Sequence, residues 1–323
     1  MRILYHQDFD GMASAALLAS ALQDEAGLRN FSFAPVDHHM APAWLQPRPP
    51  GAGTEGPFAV VDFLYHPNAT AWYDHHATTF LTPDVEAHYR RFREPLPAYA
   101  PWVLDTRAPS CAALIHGRFT AAGWDGSRYQ HLVACATQID QAAYESPEHY
   151  FRAEEPHVRL DQGRRFLNAG QLDQVIRQLM VPDLEAALAL AASEADRAVQ
   201  GNLTTLEAYR PHQARLRDIV VTDVVREGLP YLRFAAYHTF PHATYGITLY
   251  QGSGGRVLVG LNKNPWLDVH HHHLGQLARA AGPGNGGHSY AAGAEFAPQQ
   301  YAEPYVAAVQ WVQQVIRVLE QRP

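Results

Sequence analysis

At 323 residues the chain is long enough for two domains, and 47% hydrophobic with 18% charged residues is the balance of a soluble globular protein. A formal net charge of −7 argues against broad binding of long nucleic acid, which needs clustered Lys and Arg. No apolar run is long enough for a membrane span and the first residues carry no secretory pattern, which points to the cytoplasm. Cys111 and Cys135 are too few for a zinc cluster and read as reduced core thiols. With 19 histidines, a lone His is weak evidence of function.

Residues 2–6 form a short apolar strand and residues 12–22 a helix of almost entirely small and apolar residues. Between them lies His6-Gln7-Asp8-Phe9-Asp10-Gly11. His6, Asp8 and Asp10 alternate, so an extended backbone aims their side chains to one side. Gly11 is expected to let the chain turn sharply into the helix. Capping a helix takes one acid, not two acids and a histidine in register. Residues 31–36 are a second strand, ending in Asp37-His38-His39. That triplet reads as a strand-end turn, with a place at the edge of the site as the other option. Residues 46–57, rich in Pro and Gly, are a surface loop. The strongly apolar residues 58–63 make a third strand ending at Asp62, a costly place for a carboxylate unless it is paired or metal-bound. Residues 71–75 make a fourth, with Asp74-His75-His76 at its carboxyl end. Strands one, three and four thus deliver acids and histidines to one rim of a doubly wound α/β sheet, where such folds bind their ligands. Clustered carboxylates and imidazoles there make sense as metal ligands and phosphate contacts.

Residues 86–101 read as a loop or short helix over that rim, and residues 110–122 and 128–139 as helices. Asp140 follows directly, in a position the helix dipole disfavours, which tilts it toward function. Residues 151–180 are helical in parts, and 182–200 form one amphipathic connecting helix. Strands are expected over 216–225, 229–236, 244–250 and 256–261, with a turn at the glycines of 252–255. A helix over 267–281 begins with His270, His271, His272 and His273, which are a solvent-exposed run or line the cleft. Glycines follow through Gly286-Gly287 to His288, where exposed backbone N–H groups can approach a phosphate or base. The expected division is residues 1–182, a connector 183–212, and a smaller α/β domain 213–323.

These motifs, in this order, resemble the DHH phosphoesterase superfamily: His6-x-Asp8-x-Asp10-Gly11, Asp62, Asp74-His75-His76, Asp140 and the Gly286-Gly287-His288 signature of a DHH-associated C-terminal domain. The wording around Asp62-Phe63 and Trp72-Tyr73-Asp74-His75-His76 is similar to the nanoRNase and oligoribonuclease branch. The resemblance implies a mainly parallel sheet domain plus a smaller α/β domain, with the active site in the cleft between them. It implies two divalent ions, Mn²⁺ before Mg²⁺. The first would take His6, Asp8 and Asp62, and the second Asp10, Asp62, His75 and Asp140, with Asp62 bridging. His76 and His288 would contact substrate phosphate and Asp74 would orient the histidines. Substrate would also meet Gly286, Gly287, Asn262 and Lys263. Asn262 and Lys263 stand where relatives carry Ser and Arg. The implied activity is hydrolysis of short oligonucleotides or linear dinucleotides to nucleoside monophosphates by two-metal hydroxide attack. A 3′,5′-bisphosphonucleotide phosphatase and a non-catalytic nucleotide-binding module are the alternatives. No partner beyond the small nucleotide or short oligonucleotide is implied, and a homodimer stays open.

Overall fold

The computed structural model describes residues 1–92, 102–268, 272–282 and 284–321. The chain divides into two compact units, one of Met1–Tyr144 with Arg152–Val199 and one of Glu145–Phe151 with Gln200–Pro323. The helix Ala192–Tyr209 carries the chain from one to the other.

The first unit is built on five parallel strands: β1 (Arg2–His6), β2 (Ser32–Val36), β3 (Phe58–Val61), β4 (Ala71–Asp74) and β5 (Trp102–Leu104). Their order is β2-β1-β3-β4-β5. This is a doubly wound order whose connections reverse direction between β1 and β3, the place where open α/β sheets leave a crevice at their carboxyl ends. Strands buried on both faces need apolar residues throughout, and Ile3, Leu4, Tyr5, Val60 and Val61 are all inaccessible to solvent. The helix Phe9–Ala26 packs on β1 and β3, and the helix Cys111–Ala121 on β4. On the opposite face Leu4, Val60 and Trp72 meet Trp44, Tyr65 and Tyr89.

Helix Phe9–Ala26 begins three residues before the sequence pattern indicates. Asp8 caps it, Oδ1 accepting from the Gly11 N–H at 2.8 Å. The extended run therefore covers His6 and Asp8 only, and Asp10 lies in the first helical turn. Gly11 serves closeness rather than turning. A Cβ there would lie 2.0 Å from the His6 carbonyl oxygen, so the helix presses directly against the end of β1. Gly27, left-handed at φ 66°, stops the helix by returning its N–H to the Gln23 carbonyl.

In place of one helix over 182–200 there are two, Leu184–Ala189 capped by Asp183 and then Ala192–Tyr209. Of the loop or short helix expected over 86–101, the described part belongs to a helix, Pro83–Phe92; residues 93–101 lie outside the described residues, as do His270 and His271.

The second unit holds a six-stranded mixed sheet of order β10-β11-β9-β8-β7-β6. Its strands are β6 (Gln213–Leu216), β7 (Ile219–Asp223), β8 (Tyr245–Gln251), β9 (Val257–Lys263), β10 (Gly286–Gly287) and β11 (Ala291–Phe296). β7 and β8 are parallel; the other pairs are antiparallel. Alternate residues Ile247, Leu249, Val259 and Leu261 bury one face against Trp311, Val312 and Val315 of the helix Pro304–Glu320. The strand expected over 216–225 forms as β7, Ile219–Asp223; its first residues instead make a hairpin turn at Arg217, where φ is 55°, back to β6. That expected over 229–236 does not form: Pro230 has no N–H to give a ladder, Phe234 is left-handed at φ 68°, and a short helix, Ala235–Thr239, follows. The helix expected over 267–281 is reduced to Leu274–Arg279. His273 caps it, its ring Nδ1 accepting from the Gln276 N–H at 3.3 Å.

Candidate metal centre and substrate loop

In the first unit each predicted ligand stands at the end of an element. His6 closes β1, Asp8 is the helix cap behind it, and Asp10 is in that helix's first turn. Asp62 follows β3, Asp74 closes β4, and Asp140 is the last residue of the helix Gln130–Asp140. Asp62 sits in the left-handed region at φ 57°, which costs less for Asp than for most side chains and turns its carboxylate out of the strand direction.

The side chains gather into three groups, each with potential ligand atoms within 4.8 Å of one another: His6, Asp8 and Asp62; Asp10, His75 and Asp140; Asp62, Asp74 and His76. Asp62 offers one oxygen to each side. Its Oδ2 is 3.7 Å from His6 Nδ1 and its Oδ1 is 3.5 Å from His75 Nε2. His75 Nε2 is also 3.7 Å from Asp10 and 3.8 Å from Asp140. The Nδ1 of His75 lies 3.1 Å from the Ala108 carbonyl, which can only accept, so Nδ1 carries the proton and Nε2 turns its lone pair to the acids in the neutral ring. Asp74 Oδ1 accepts from the backbone N–H groups of His75 and His76 and holds His76 Nδ1 at 2.7 Å.

The electrostatics of this cluster call for a cation. Burial, with Asp62 and Asp140 beside it, pushes the Asp10 carboxyl well above its usual range. Burial alone would lower His75, but Asp62, Asp140 and Asp10 raise it to about 11. His6 is likewise lowered by burial and raised, on balance well above normal, by Asp8 and Asp62. Asp62 Oδ1 is buried with no hydrogen-bond partner. Five acids this close, offset mainly by imidazoles, are costly unless divalent ions take the protons' place. All donors are carboxylate oxygen or imidazole nitrogen, which suits Mn²⁺ or Mg²⁺.

Neither a known family model nor a curated protein matches the sequence. Solved structures do match. A pGpG-specific phosphodiesterase, PggH of Vibrio cholerae, superposes with TM-score 0.60 at 16% identity over 97% of this chain and 98% of its own. RecJ of Thermus thermophilus, solved in complex with Mn²⁺, gives 0.55 at 16% identity over 95% of this chain and 52% of its own. This chain thus spans about half of that RecJ chain. A DHH domain from a member of a family of ribosomal proteins gives 0.53 at 14% identity, covering 97% and 86%. The chain has the DHH-domain fold.

Within this DHH-type first unit the sequence conceals two partners of the site and leaves a third open. Both Asp10 oxygens accept backbone N–H groups, from Cys111 at 2.7 Å and Ala112 at 2.9 Å, so the carboxylate is clamped on the N-terminus of the helix Cys111–Ala121. The signal was Ser110, a helix cap directly before them. The Ala108 carbonyl on His75 carried no signal. The third is His38. Asp37 does cap a turn at the end of β2, its carboxylate accepting from the His39 N–H, and the same turn places the His38 ring 5.6 Å from His6 and 5.0 Å from Phe63.

In the second unit Gly286 and Gly287 form β10 against β11, and the His288 N–H donates to the Ala291 carbonyl. Gly275 lets the helix Leu274–Arg279 abut this hairpin: a Cβ there would lie 2.1 Å from the Gly287 carbonyl oxygen. The His288 ring stacks on Tyr290, centroids 5.0 Å apart and planes within 3°. Asn262 is buried; its side-chain amide donates to the Tyr231 hydroxyl at 2.6 Å while its backbone carbonyl oxygen accepts from the Tyr237 hydroxyl. Asn262 therefore holds Tyr231 in place. Lys263, the last residue of β9, is also buried, which lowers its pKa. No helix among the described residues is long and apolar enough to cross a membrane.

Proposed function

We propose that the protein is a divalent-metal-dependent phosphodiesterase that hydrolyses linear dinucleotides or short oligonucleotides to nucleoside monophosphates. The observation that carries this reading is the Asp62 carboxylate, buried at the sheet's switch point, grouped with His6 and Asp8 and facing with its other oxygen His75, which itself gathers with Asp10 and Asp140. By this reading the first group would hold one ion and the second group another, with Asp62 able to contribute to both. Such ions lower the pKa of water and stabilise charge on a phosphoryl group. His76, oriented by Asp74, donates to a phosphate oxygen. In the second unit the Gly286-Gly287 hairpin and His288 act as a substrate-binding loop, the glycines allowing close approach and His288 supplying an imidazole. The likeness to the pGpG phosphodiesterase over nearly the full length of both chains supports a short linear substrate of the kind nanoRNases cleave. The all O/N donor set and the Mn²⁺-bound RecJ favour manganese. Two free buried thiols, Cys111 and Cys135, fit a reducing, cytoplasmic setting.

The test is a panel of pGpG, a five-nucleotide RNA, a cyclic dinucleotide and a 3′,5′-bisphosphonucleotide, each with Mn²⁺ and with EDTA. Mn²⁺-dependent release of monophosphates from the linear substrates is the expected result. Turnover of the bisphosphate alone would make the protein a phosphomonoesterase, and silence across the panel from Mn²⁺-loaded protein would make it a binding module.

A further inference from the structure

The turn after β2 puts an imidazole beside the candidate centre that the ligand sets do not use. β2 lies next to β1, so its carboxyl end opens on the same rim as His6. His38 is exposed, and its position is fixed from below. Trp44, fully buried, meets Phe63 edge-on at 4.8 Å; Phe63 meets the His38 ring at 5.0 Å; and His38 meets His6 at 5.6 Å. Three rings, Trp44, Phe63 and His38, thus run from the core to the rim and end in an exposed imidazole that also meets His6. Asp37 fixes the backbone under it by accepting from the His39 N–H. His38 does not join His6, Asp8 and Asp62 in any cluster of potential ligand atoms within 4.8 Å. It borders the centre without belonging to it.

We propose that His38 is a substrate-binding residue that donates a hydrogen bond to a phosphate oxygen of the bound nucleotide, on the His6 side of the centre. The proposal rests on the phosphodiesterase reading for the identity of its ligand. Its physical basis is the position: an exposed N–H donor held on a rigid aromatic stack beside groups that would hold cations, where an anionic phosphate is drawn in. A ring that served only to pack against His6 would gain nothing from polar nitrogens, and Phe in its place would serve equally well.

That contrast sets the experiment. Binding of adenosine 5′-monophosphate to Mn²⁺-loaded protein, and Mn²⁺ binding itself, are measured by calorimetry for the wild type, His38→Phe and His38→Gln. KM and kcat on pGpG are measured beside them. The expected result is AMP binding about tenfold or more weaker in His38→Phe, as for loss of a hydrogen bond to a charged group, with Mn²⁺ affinity unchanged. His38→Gln, which keeps an N–H donor, recovers at least part of the loss, and the change on pGpG appears mainly in KM. Wild-type AMP affinity in His38→Phe would reduce His38 to packing and overturn the proposal. So would an unrecovered loss in His38→Gln, a parallel loss of Mn²⁺ affinity, or wild-type protein that binds no AMP. If AMP binds and responds to the variants as expected but nothing on the substrate panel turns over, the phosphodiesterase reading fails and the His38 contact stands.

Discussion

Replacing Gly11 by Ala sets two physical arguments against each other. Helix propensity favours Ala over Gly by about 1 kcal/mol inside a helix, and a less flexible unfolded chain adds in the same direction. Contact geometry says the opposite. The new methyl would lie 2.0 Å from the His6 carbonyl oxygen, 2.8 Å from its carbon and 3.0 Å from its nitrogen, all backbone atoms. Ordinary contact begins near 3.4 Å, so the helix start and the end of β1 must part by about 3.4 − 2.0 = 1.4 Å. β1 is paired on both sides, with β2 and β3, and cannot yield cheaply. Overpacking of a tight core costs about 1–3 kcal/mol, and a clash with backbone on both sides belongs at or above the top of that range. Gly11→Ala is therefore expected to destabilise the protein by about 3 kcal/mol in urea or thermal unfolding with EDTA present. It also moves His6 and Asp8, so Mn²⁺ affinity should fall at least about tenfold at temperatures where the variant is still folded, since ligand placement is sensitive to shifts of this size. A variant as stable as the wild type, or more stable, with unchanged Mn²⁺ affinity, would show that the helix and strand are not locked at this point.

Asp62→Asn keeps a residue tolerant of positive φ while removing a buried charge from the cluster. The rise in its melting temperature on adding Mn²⁺ should shrink relative to the wild type; an undiminished rise would show that Asp62 does not help to hold the metal. Asp10→Asn should differ, because one of the Cys111 and Ala112 N–H groups would then face an amide NH₂ instead of an oxygen. It should lose about 1–3 kcal/mol even in EDTA, read from urea midpoints, and a neutral result would show that the clamp carries no stability. Metal binding should release protons: His75, raised to about 11 in the metal-free cluster, must give up its Nε2 proton to coordinate. Apparent Mn²⁺ affinity should therefore keep rising with pH between about 6.5 and 9, by up to about tenfold per unit for each displaced proton. Calorimetry in buffers of different ionisation enthalpy counts those protons, and a flat profile would mean that the nitrogen is already deprotonated.

The rim was legible because His6, Asp62 and Asp74-His75-His76 stand where a strand's apolar run stops, and a doubly wound sheet could be inferred from the first strand feeding a loop and a helix. The first helical turn was not. Asp8 and Asp10 look alike in the sequence, and only the backbone shows that one caps the helix while the other is held by amides a hundred residues downstream. Residues 229–236 have the composition of a strand, but Pro230 and the left-handed Phe234 break it, and the segment is held instead by Tyr209, whose hydroxyl donates to the Pro230 carbonyl and accepts from the Leu232 N–H. His38 was readable only as a turn or an edge residue, because ring stacking with Phe63 depends on which strands become neighbours.

The seven residues Glu145–Phe151 belong to the second unit although the chain returns to the first for nearly fifty residues afterwards. Tyr150 packs on Phe234, Phe151 meets the His238 ring, and Glu148 pairs with that histidine at 2.9 Å. Neither unit is therefore a continuous stretch of sequence. A gene fragment beginning at Gln200 would encode a sheet stripped of the short helix that covers Phe234. Recombination at a single crossover could not exchange either unit whole, which would tend to make the two travel through evolution as one inherited block.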